Sequence, residues 1–334
     1  MCGFVGFIDE NDQTYDHRAT IVAMANAIAY RGPDSEGYFS DGRAALGFRR
    51  LAIIDLAGAN QPLYNENRSL VLVFNGEIYN YQELRRQLIA AGHTFSTQGD
   101  AEVMLHGFEQ WGEGVLDRLR GMFAFALYRP AAGELFCARD AFGIKPLYYA
   151  VEGERILFGS EIKGLITHPR AHRSLNERRL AHWLCMEYLP EETLFEGVRK
   201  LPAGHWLRWR DGRAECGRWF APRFVPDASR SLEESAEAIE ATLRESVAAH
   251  AIADVDVGCF LSAGVDSSLV AREAARIMEA RTFTIGWGEG RFSELEAAAT
   301  FARATGLPNE GCILGAEQFF ASVPAVQYAM DEPL

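Results

Sequence analysis

The sequence predicts two domains of different class: layered antiparallel sheet and helix up to about residue 222, and a parallel α/β sheet from about residue 231. Three observations carry this. A length of 334 residues suits two domains. The first part alternates apolar and polar residues in short runs bounded by turns. The second part repeats strand and helix in the order of a parallel sheet.

The elements follow in chain order. Strands are expected at "GFVGFI" (3–8), "SLVLVF" (69–74), "MFAFALY" (122–128), "ELFCA" (134–138) and "PLYYA" (146–150). A helix is expected over 17–29, where Ile21, Met24, Ala25 and Ile28 share a face, with others over 80–91 (Tyr81, Leu84, Leu88) and 101–110. Residues 2–222 form the first domain, and 223–230, containing "VPDAS", the linker. At 231 Ser231 and Glu234 make a capping box. The helix it opens carries an apolar stripe of Leu232, Ala236, Ile239, Leu243 and Val247. Strand "VDVGCFL" (255–261) then leads to a helix near 267–279. Strand "TFTIGW" (282–287) leads to a helix capped by Ser293 with Glu296, and "CIL" (312–314) leads to another helix. Residues 231–334 thus read as the first strands of an incomplete α/β domain.

Composition excludes several function classes. A formal charge of −13 does not favour nucleic acid. No apolar run approaches the roughly 18–20 residues that span a bilayer, so no membrane partner is expected. No signal peptide is recognised, and the expected location is the cytoplasm. Cys2, Cys137, Cys185, Cys216, Cys259 and Cys312 are scattered, with no CxxC pair and no Cys/His cluster at metal-ligand spacing. They read as reduced thiols.

The N-terminus, "MCGFVGF", asks for chemistry. If Met1 is removed, Cys2 carries a thiol and a free α-amine that titrates near working pH and can serve as its base. A nucleophile needs an oxyanion hole, for which the Asn75 amide and the Gly76 N–H are suitable donors. A free amino acid substrate needs a guanidinium for its carboxylate and carboxylates for its ammonium. Arg50, Glu77 and Asp100 are the right types. Each also has a plain reading: Asn75-Gly76 as a hairpin turn, Asp100 as a helix cap, Arg50 and Glu77 as surface charges.

Nine segments in order, "MCGFVGF", "RGPD", "RRLAIIDL", "FNGEIYNY", "TQGDAEV", "GMFAFALY", "ARDAFGIKPLYY", "SEIK" and "KLPAGH", resemble the N-terminal-nucleophile (class II) glutamine amidotransferase domain of glutamine-hydrolysing asparagine synthetases. They cover about 200 residues of this chain. The resemblance implies a four-layer αββα fold with two antiparallel sheets. It implies that Cys2 attacks the glutamine carboxamide, with Asn75 and Gly76 as the oxyanion hole. It puts Arg50 on the glutamine carboxylate, Glu77 and Asp100 on its amine, and Leu51, Ala52, Ile53 and Ile54, expected as strand residues, along the pocket.

"LSAGVDSS" (261–268) follows a strand and opens a helix, where N–H groups and hydroxyls favour an anion. Read by itself it is equally a Ser/Gly loop capping a helix. It resembles the pyrophosphatase loop of ATP pyrophosphatases, with Ala263 where the first of two glycines usually lies. That resemblance carries Leu261 and Ile285 to the adenosine of ATP, and Ser262, Gly264, Asp266, Ser267 and Ser268 to pyrophosphate and metal, with Asp266 on Mg²⁺. "FSELEAA" (292–298) and "MDEPL" (330–334) match the same half.

An ammonia-producing domain joined to an ATP-activating one implies amide transfer to a carboxylate. In asparagine synthetases this is aspartate, activated on its β-carboxylate, with AMP and pyrophosphate released. The family's usual Ser-Gly-Glu/Asp-Gly-x-Asp-Glu loop does not occur in these 334 residues. The expectation is therefore a chain that hydrolyses glutamine without completing asparagine synthesis. Relatives are often dimers, which suggests a homodimer. The alternatives are a related enzyme amidating a sugar-acid or peptide carboxylate, and a non-catalytic glutamine-binding remnant. The loop "LSAGVDSS" counts against phosphoribosyl amidotransferases and sugar-phosphate aminotransferases, and Cys2 against β-lactam-forming relatives.

Overall fold

A computed structural model describes residues 1–10, 14–185, 191–262, 264–287 and 293–332. The chain forms two compact units, one of residues 1–222 with the last residues from 329 onward, the other of residues 223–328.

The first unit runs β1 (Gly3–Ile8), α1 (His17–Asn26), β2 (Ser35–Ser40), β3 (Ala44–Arg50), β4 (Leu63–Tyr64), β5 (Val71–Ile78), α2 (Tyr81–Ala90), α3 (Glu102–Trp111), β6 (Gly121–Arg129) and β7 (Glu134–Arg139). It continues β8 (Tyr148–Glu152), β9 (Arg155–Gly159), α4 (Ile162–Ile166), α5 (Glu177–Cys185), β10 (Val198–Lys200), β11 (His205–Arg210) and β12 (Arg213–Arg218). The strands make two sheets, ordered β10-β8-β9-β1-β3-β2 and β12-β11-β7-β6-β5-β4. Every pairing in both is antiparallel.

Strand alternation builds the layers. Phe4 and Ile8 of β1, Leu46 and Phe48 of β3, and Val71 and Val73 of β5 meet between the sheets. The opposite face of β1, Val5 and Phe7, packs on Ile21, Met24 and Ala25 of α1, on Ile28 just beyond it, and on Ile162 and Leu165 of α4. The opposite face of β5, Leu72, Phe74 and Ile78, packs on α2 (Tyr81, Leu84, Leu88) and α3 (Val103, Met104, Leu105). Helix, sheet, sheet, helix is the four-layer αββα order. α1 stops at Asn26, short of the expected 29, and a 3₁₀ turn covers Ala29–Arg31.

The last described residues belong to this unit. Asp331 pairs with the buried Lys163 at 3.0 Å, and Glu332 with the buried Lys200 at 2.6 Å.

The second unit runs α6 (Leu232–His250), β13 (Gly258–Phe260), α7 (Val265–Ala275), β14 (Arg281–Trp287), α8 (Leu295–Thr305), β15 (Asn309–Leu314) and α9 (Ala316–Met330) up to Tyr328. Its three strands are parallel, ordered β13-β14-β15. The capping box is present: Ser231 Oγ accepts from Glu234 N at 3.1 Å, and Glu234 accepts from Ser231 N at 2.9 Å. Ser293 does not cap α8. The cap position is Glu294, with no side-chain cap bond. Ser293 Oγ lies instead against Gly286, where an added Cβ would meet it at 2.5 Å. The expected strand over 255–261 is shorter, as β13, and the one at 312–314 longer, as β15. Among the described residues no helix is long and apolar enough to cross a membrane.

Candidate active site at the end of the sandwich

Cys2 directly precedes β1 and shares the parity of Phe4, so its side chain turns to the layer between the sheets. β1 pairs with β3 through Gly3 and Arg49, which brings the chain after Arg50 beside it. The Cys2 thiol stands 3.4 Å from both the N and the O of Leu51. Burial pushes the thiol up from its ordinary pKa, and the Leu51 N–H partly opposes this. The free thiol therefore needs a base.

"RGPD" fixes the neighbouring backbone. Gly32 is obligatory, because a Cβ there would meet the Arg49 carbonyl carbon at 2.3 Å and the Arg50 nitrogen at 2.4 Å. Asp34 then accepts from Ala52 N at 2.8 Å. Arg50 is buried and donates to the carbonyls of Ile54, Asp55 and Leu56 at 3.1, 2.6 and 3.1 Å. Those three bonds wrap the loop 51–56 around the guanidinium and leave two of its five N–H donors for a ligand. Leu51, Ala52, Ile53 and Ile54 are half-buried along this loop and do not form the expected strand, because β3 ends at Arg50 and the chain turns round its guanidinium. Asp55 ties the loop to "TQGD" by accepting from Gln98 N at 2.7 Å.

The other wall is the end of β5. Asn75 and Glu77 share the parity of Val73 and so face the inter-sheet layer, as Cys2 does. Asn75 is 1% exposed, and its Nδ2 has no hydrogen-bond partner. An unpaired buried amide donor is costly, and such a cost points to a role with a ligand. Gly76 lies within β5 and not in a hairpin turn; a Cβ there would meet Met122 O at 2.3 Å. Its N–H direction follows from its neighbours. Phe74 N donates to Gln61 Oε1 at 2.6 Å and Ile78 N to Asp100 Oδ2 at 2.8 Å, both on the edge of β5 away from β6. Phe123, opposite Gly76, exchanges its own bonds with Asp140. The Gly76 N–H therefore points to that same open edge.

Asp100 is buried, and its side chain holds β5 instead of capping α3, whose cap position is Ala101. Burial pushes its carboxyl up to about 6. Burial and the charge of Asp100 push Glu77 up to about 8. Two desolvated carboxyls close enough to feel one another's charge favour a cation beside them.

Several polar residues here carry no role in the sequence reading. Arg31 donates from Nε to the Cys2 carbonyl at 2.8 Å and from Nη1 to Glu161 at 2.7 Å. Lys145, buried and lowered by that burial, reaches Met1 Sδ at 3.6 Å. Asp140 shapes the turn before Lys145 by accepting from the nitrogens of Phe142, Ile144 and Lys145. All lie in quoted motifs, and their buried charge is the signal that marks them. Burial also pulls the Met1 α-amine below its ordinary value.

The second unit places "LSAGVDSS" between β13 and α7. Leu261 is buried, its N donating to Phe283 O and its O accepting from Thr284 Oγ1, both at 2.8 Å. Ser262 Oγ caps Gly264 N at 3.1 Å and lies 2.9 Å from Ser267 Oγ. Ser268 Oγ donates back to Gly264 O at 2.8 Å. Asp266 is exposed in the first turn of α7, and Ile285 is exposed on β14. Ala263 and Phe292 lie outside the described residues.

Comparison with known proteins adds an independent line. Residues 1–220 match the family described as glutamine amidotransferase domain, and residues 238–334 that described as asparagine synthase. Asparagine synthetase [glutamine-hydrolyzing] 1 of Bacillus subtilis (strain 168) is 37% identical over 339 residues, which cover 100% of this chain and 53% of the relative. A putative asparagine synthetase [glutamine-hydrolyzing] of Mycobacterium bovis is 39% identical over 358 residues, covering 100% and 55%. The chain spans about half the length of these curated relatives. Among solved structures, glutamine phosphoribosylpyrophosphate amidotransferase from B. subtilis, complexed with ADP and GMP, superposes with a TM-score of 0.50 at 19% identity, covering 92% of this chain and 65% of its own. At that identity the likeness bears on the fold.

Proposed function

The chain belongs to the glutamine amidotransferase family, and from that premise we propose that its first unit hydrolyses glutamine at Cys2. The observation that carries the proposal is the buried Asn75 amide, unpartnered at Nδ2 and facing the same inter-sheet layer as Cys2, whose thiol feels the charge of Glu77 two residues further along β5. With Met1 removed, the Cys2 α-amine takes the thiol proton. Sγ bonds to the glutamine carboxamide carbon, and the oxygen's charge is met by Asn75 Nδ2 and Gly76 N–H. The carbon–nitrogen bond breaks, and the leaving nitrogen takes the proton back and departs as ammonia. Water then cleaves the thioester to glutamate. Arg50 binds the substrate carboxylate, Glu77 and Asp100 its ammonium, and the loop Leu51–Ile54 its chain.

The proposal for the second unit is ATP-dependent activation of a carboxylate. The matched family and the relatives' names support aspartate as the acid, with asparagine, AMP and pyrophosphate as products. Paired serine hydroxyls at the N-terminus of α7 suit the pyrophosphate of ATP, with Leu261 and Ile285 toward its adenosine. The exposed Asp266 is a hard oxygen donor and fits Mg²⁺ shared with phosphate oxygens. The metal would neutralise phosphate charge there. On this reading residues 2–222 are the glutaminase domain, 223–230 the linker and 231–334 the start of the synthetase domain. The enzyme is placed in the cytoplasm, as a homodimer, without nucleic-acid or membrane partners.

The test is glutamate release from glutamine by the purified chain beside Cys2→Ala. Activity in the first and silence in the second is the expected result. Equal rates would overturn the assignment of Cys2.

A further inference from the structure

We infer that the first unit carries a four-coordinate metal site, of the zinc class, far in sequence from Cys2 and separate from the groups proposed to act on glutamine. Its ligands are Glu66, His93, His106 and Glu109, whose donor atoms all lie within 4.8 Å of one another. His106 Nδ1 is 3.5 Å from Glu109 Oε2 and 3.7 Å from Glu66 Oε2, and His93 Nδ1 is 3.8 Å from Glu109 Oε2. Four ligands about 2.0–2.1 Å from a zinc ion stand about 3.4 Å apart, so these three pairs need to close by a few tenths of an ångström and the remaining pairs, all within 4.8 Å, by up to about 1.4 Å.

Proximity alone would describe an ion cluster. The orientation of each ligand says more. His106 Nε2 faces Glu102 Oε1 at 3.4 Å, and a carboxylate there requires the N–H on Nε2. In the neutral imidazole, the form that binds a metal, Nδ1 is then the lone-pair nitrogen. It has no hydrogen-bond partner, although the side chain is only 1% exposed, and it is aimed into the cluster. His93 repeats the arrangement, with Nε2 committed to Gln110 Oε1 at 3.1 Å and Nδ1 turned inward. Both carboxylates are divided in the same way. Glu109 Oε1 accepts from Asn65 Nδ2 at 2.9 Å and Glu66 Oε1 from Thr94 N at 2.9 Å, leaving each Oε2 to the centre. Every ligand thus spends one polar atom on an outer partner and offers the other, which is how protein metal sites orient imidazoles and carboxylates. Imidazole with carboxylate suits zinc and its borderline neighbours, and four protein ligands make a closed, structural site.

The ion would join the turn before β5, the segment after α2 and the body of α3. α3 begins two residues beyond Asp100, so the site braces the helix next to the proposed substrate pocket. Sequence spacing hid it because the ligands come from three segments.

The experiment titrates the full chain with Zn²⁺ alone and with Co²⁺ alone, by calorimetry and visible absorption. The variants are His93→Ala, Glu66→Ala and Gln110→Ala, at positions open enough to spare the fold. We expect one equivalent of Zn²⁺ and a rise in Tm reversed by chelator. Bound Co²⁺ should show four-coordinate absorption without a thiolate charge-transfer band. His93→Ala and Glu66→Ala should each weaken binding more than tenfold, and Gln110→Ala about tenfold. No saturable binding by the wild type would overturn the inference. So would unchanged binding by both ligand variants, or a thiolate band, which would move the metal to a cysteine.

Discussion

The two units bury very different cores. The first encloses three clusters rich in large side chains, among them Phe4, Phe48, Phe125, Tyr128, Phe158 and Trp209. The second has one cluster of seven buried residues, five of them alanines at 271, 274, 280, 298 and 302. β14 shows the difference within one strand. Its alternation buries Thr282 and Thr284 and leaves Phe283, Ile285 and Trp287 exposed. The buried threonines are satisfied by Pro308 O, Leu261 O and Asn309. Phe260 pairs with Phe283 on the bare face and is 82% exposed. Among the described residues, the first unit covers both faces of its sheets, while the second leaves one face of β14 exposed. Alternation in a sequence tells which residues share a face, and only the rest of the fold tells which face is covered.

That contrast can be broken or sharpened by substitution. The largest expected effect is Phe125→Ala between β5 and β7, at a fully buried position, costing about 3–5 kcal/mol in denaturant unfolding of the first unit. A loss near zero would mean that its core is not the tight one described. Asn75→Ala comes next. It removes an unpaired buried donor, so it should lower kcat for glutamine about 10²–10³-fold with little loss of stability. A stability loss with normal kcat would mark Asn75 as a packing residue.

The third concerns protons. Glu77, raised to about 8, is largely protonated in the free pocket at neutral pH, and the ammonium of glutamine favours its ionised form. Binding should therefore release a proton and tighten as pH rises from 6 to 8, by up to tenfold per unit, levelling above 8. Calorimetry on Cys2→Ala reads this without turnover, and a Kd flat across that range would refute it. The smallest effect is Ile285→Ser on the bare face of β14. It should change stability by under about 0.5 kcal/mol while reducing binding of an apolar dye. A loss of several kcal/mol would show that this face is covered in solution.

Much of the fold was readable from local pattern. β1, β5, β6, β7 and the capped α6 are strongly periodic or carry cap residues, and the expected runs fall on them. β2, β3, β4 and β9 to β12 are not among the strands expected from the pattern of the first domain. β2 and β3 mix glycine and charge with their apolar residues, and their alternation is supplied by the β1–β3 and β2–β3 pairings. The candidate site was readable as residue types and not as geometry. Arg50 and Asp100 could as well have been a surface charge and a helix cap. Their burial comes from the loop 51–56 and the edge of β5, which no local window contains. Arg31, Asp34 and Lys145 carry no individual role in the sequence for the same reason.

The grip on the residue after Met1 has a consequence for biogenesis. Arg31 holds the Cys2 carbonyl, Gly3 is already paired with Arg49, and the Met1 amine is partly buried. A peptidase that trims methionine needs an extended, accessible N-terminus. On the proposed reading, maturation of the thiol is therefore a race between trimming at the ribosome and closure of β1 onto β3. A chain that folds first keeps its methionine and becomes a stable but mute copy, so the active fraction in a preparation would record the timing of synthesis as well as its chemistry.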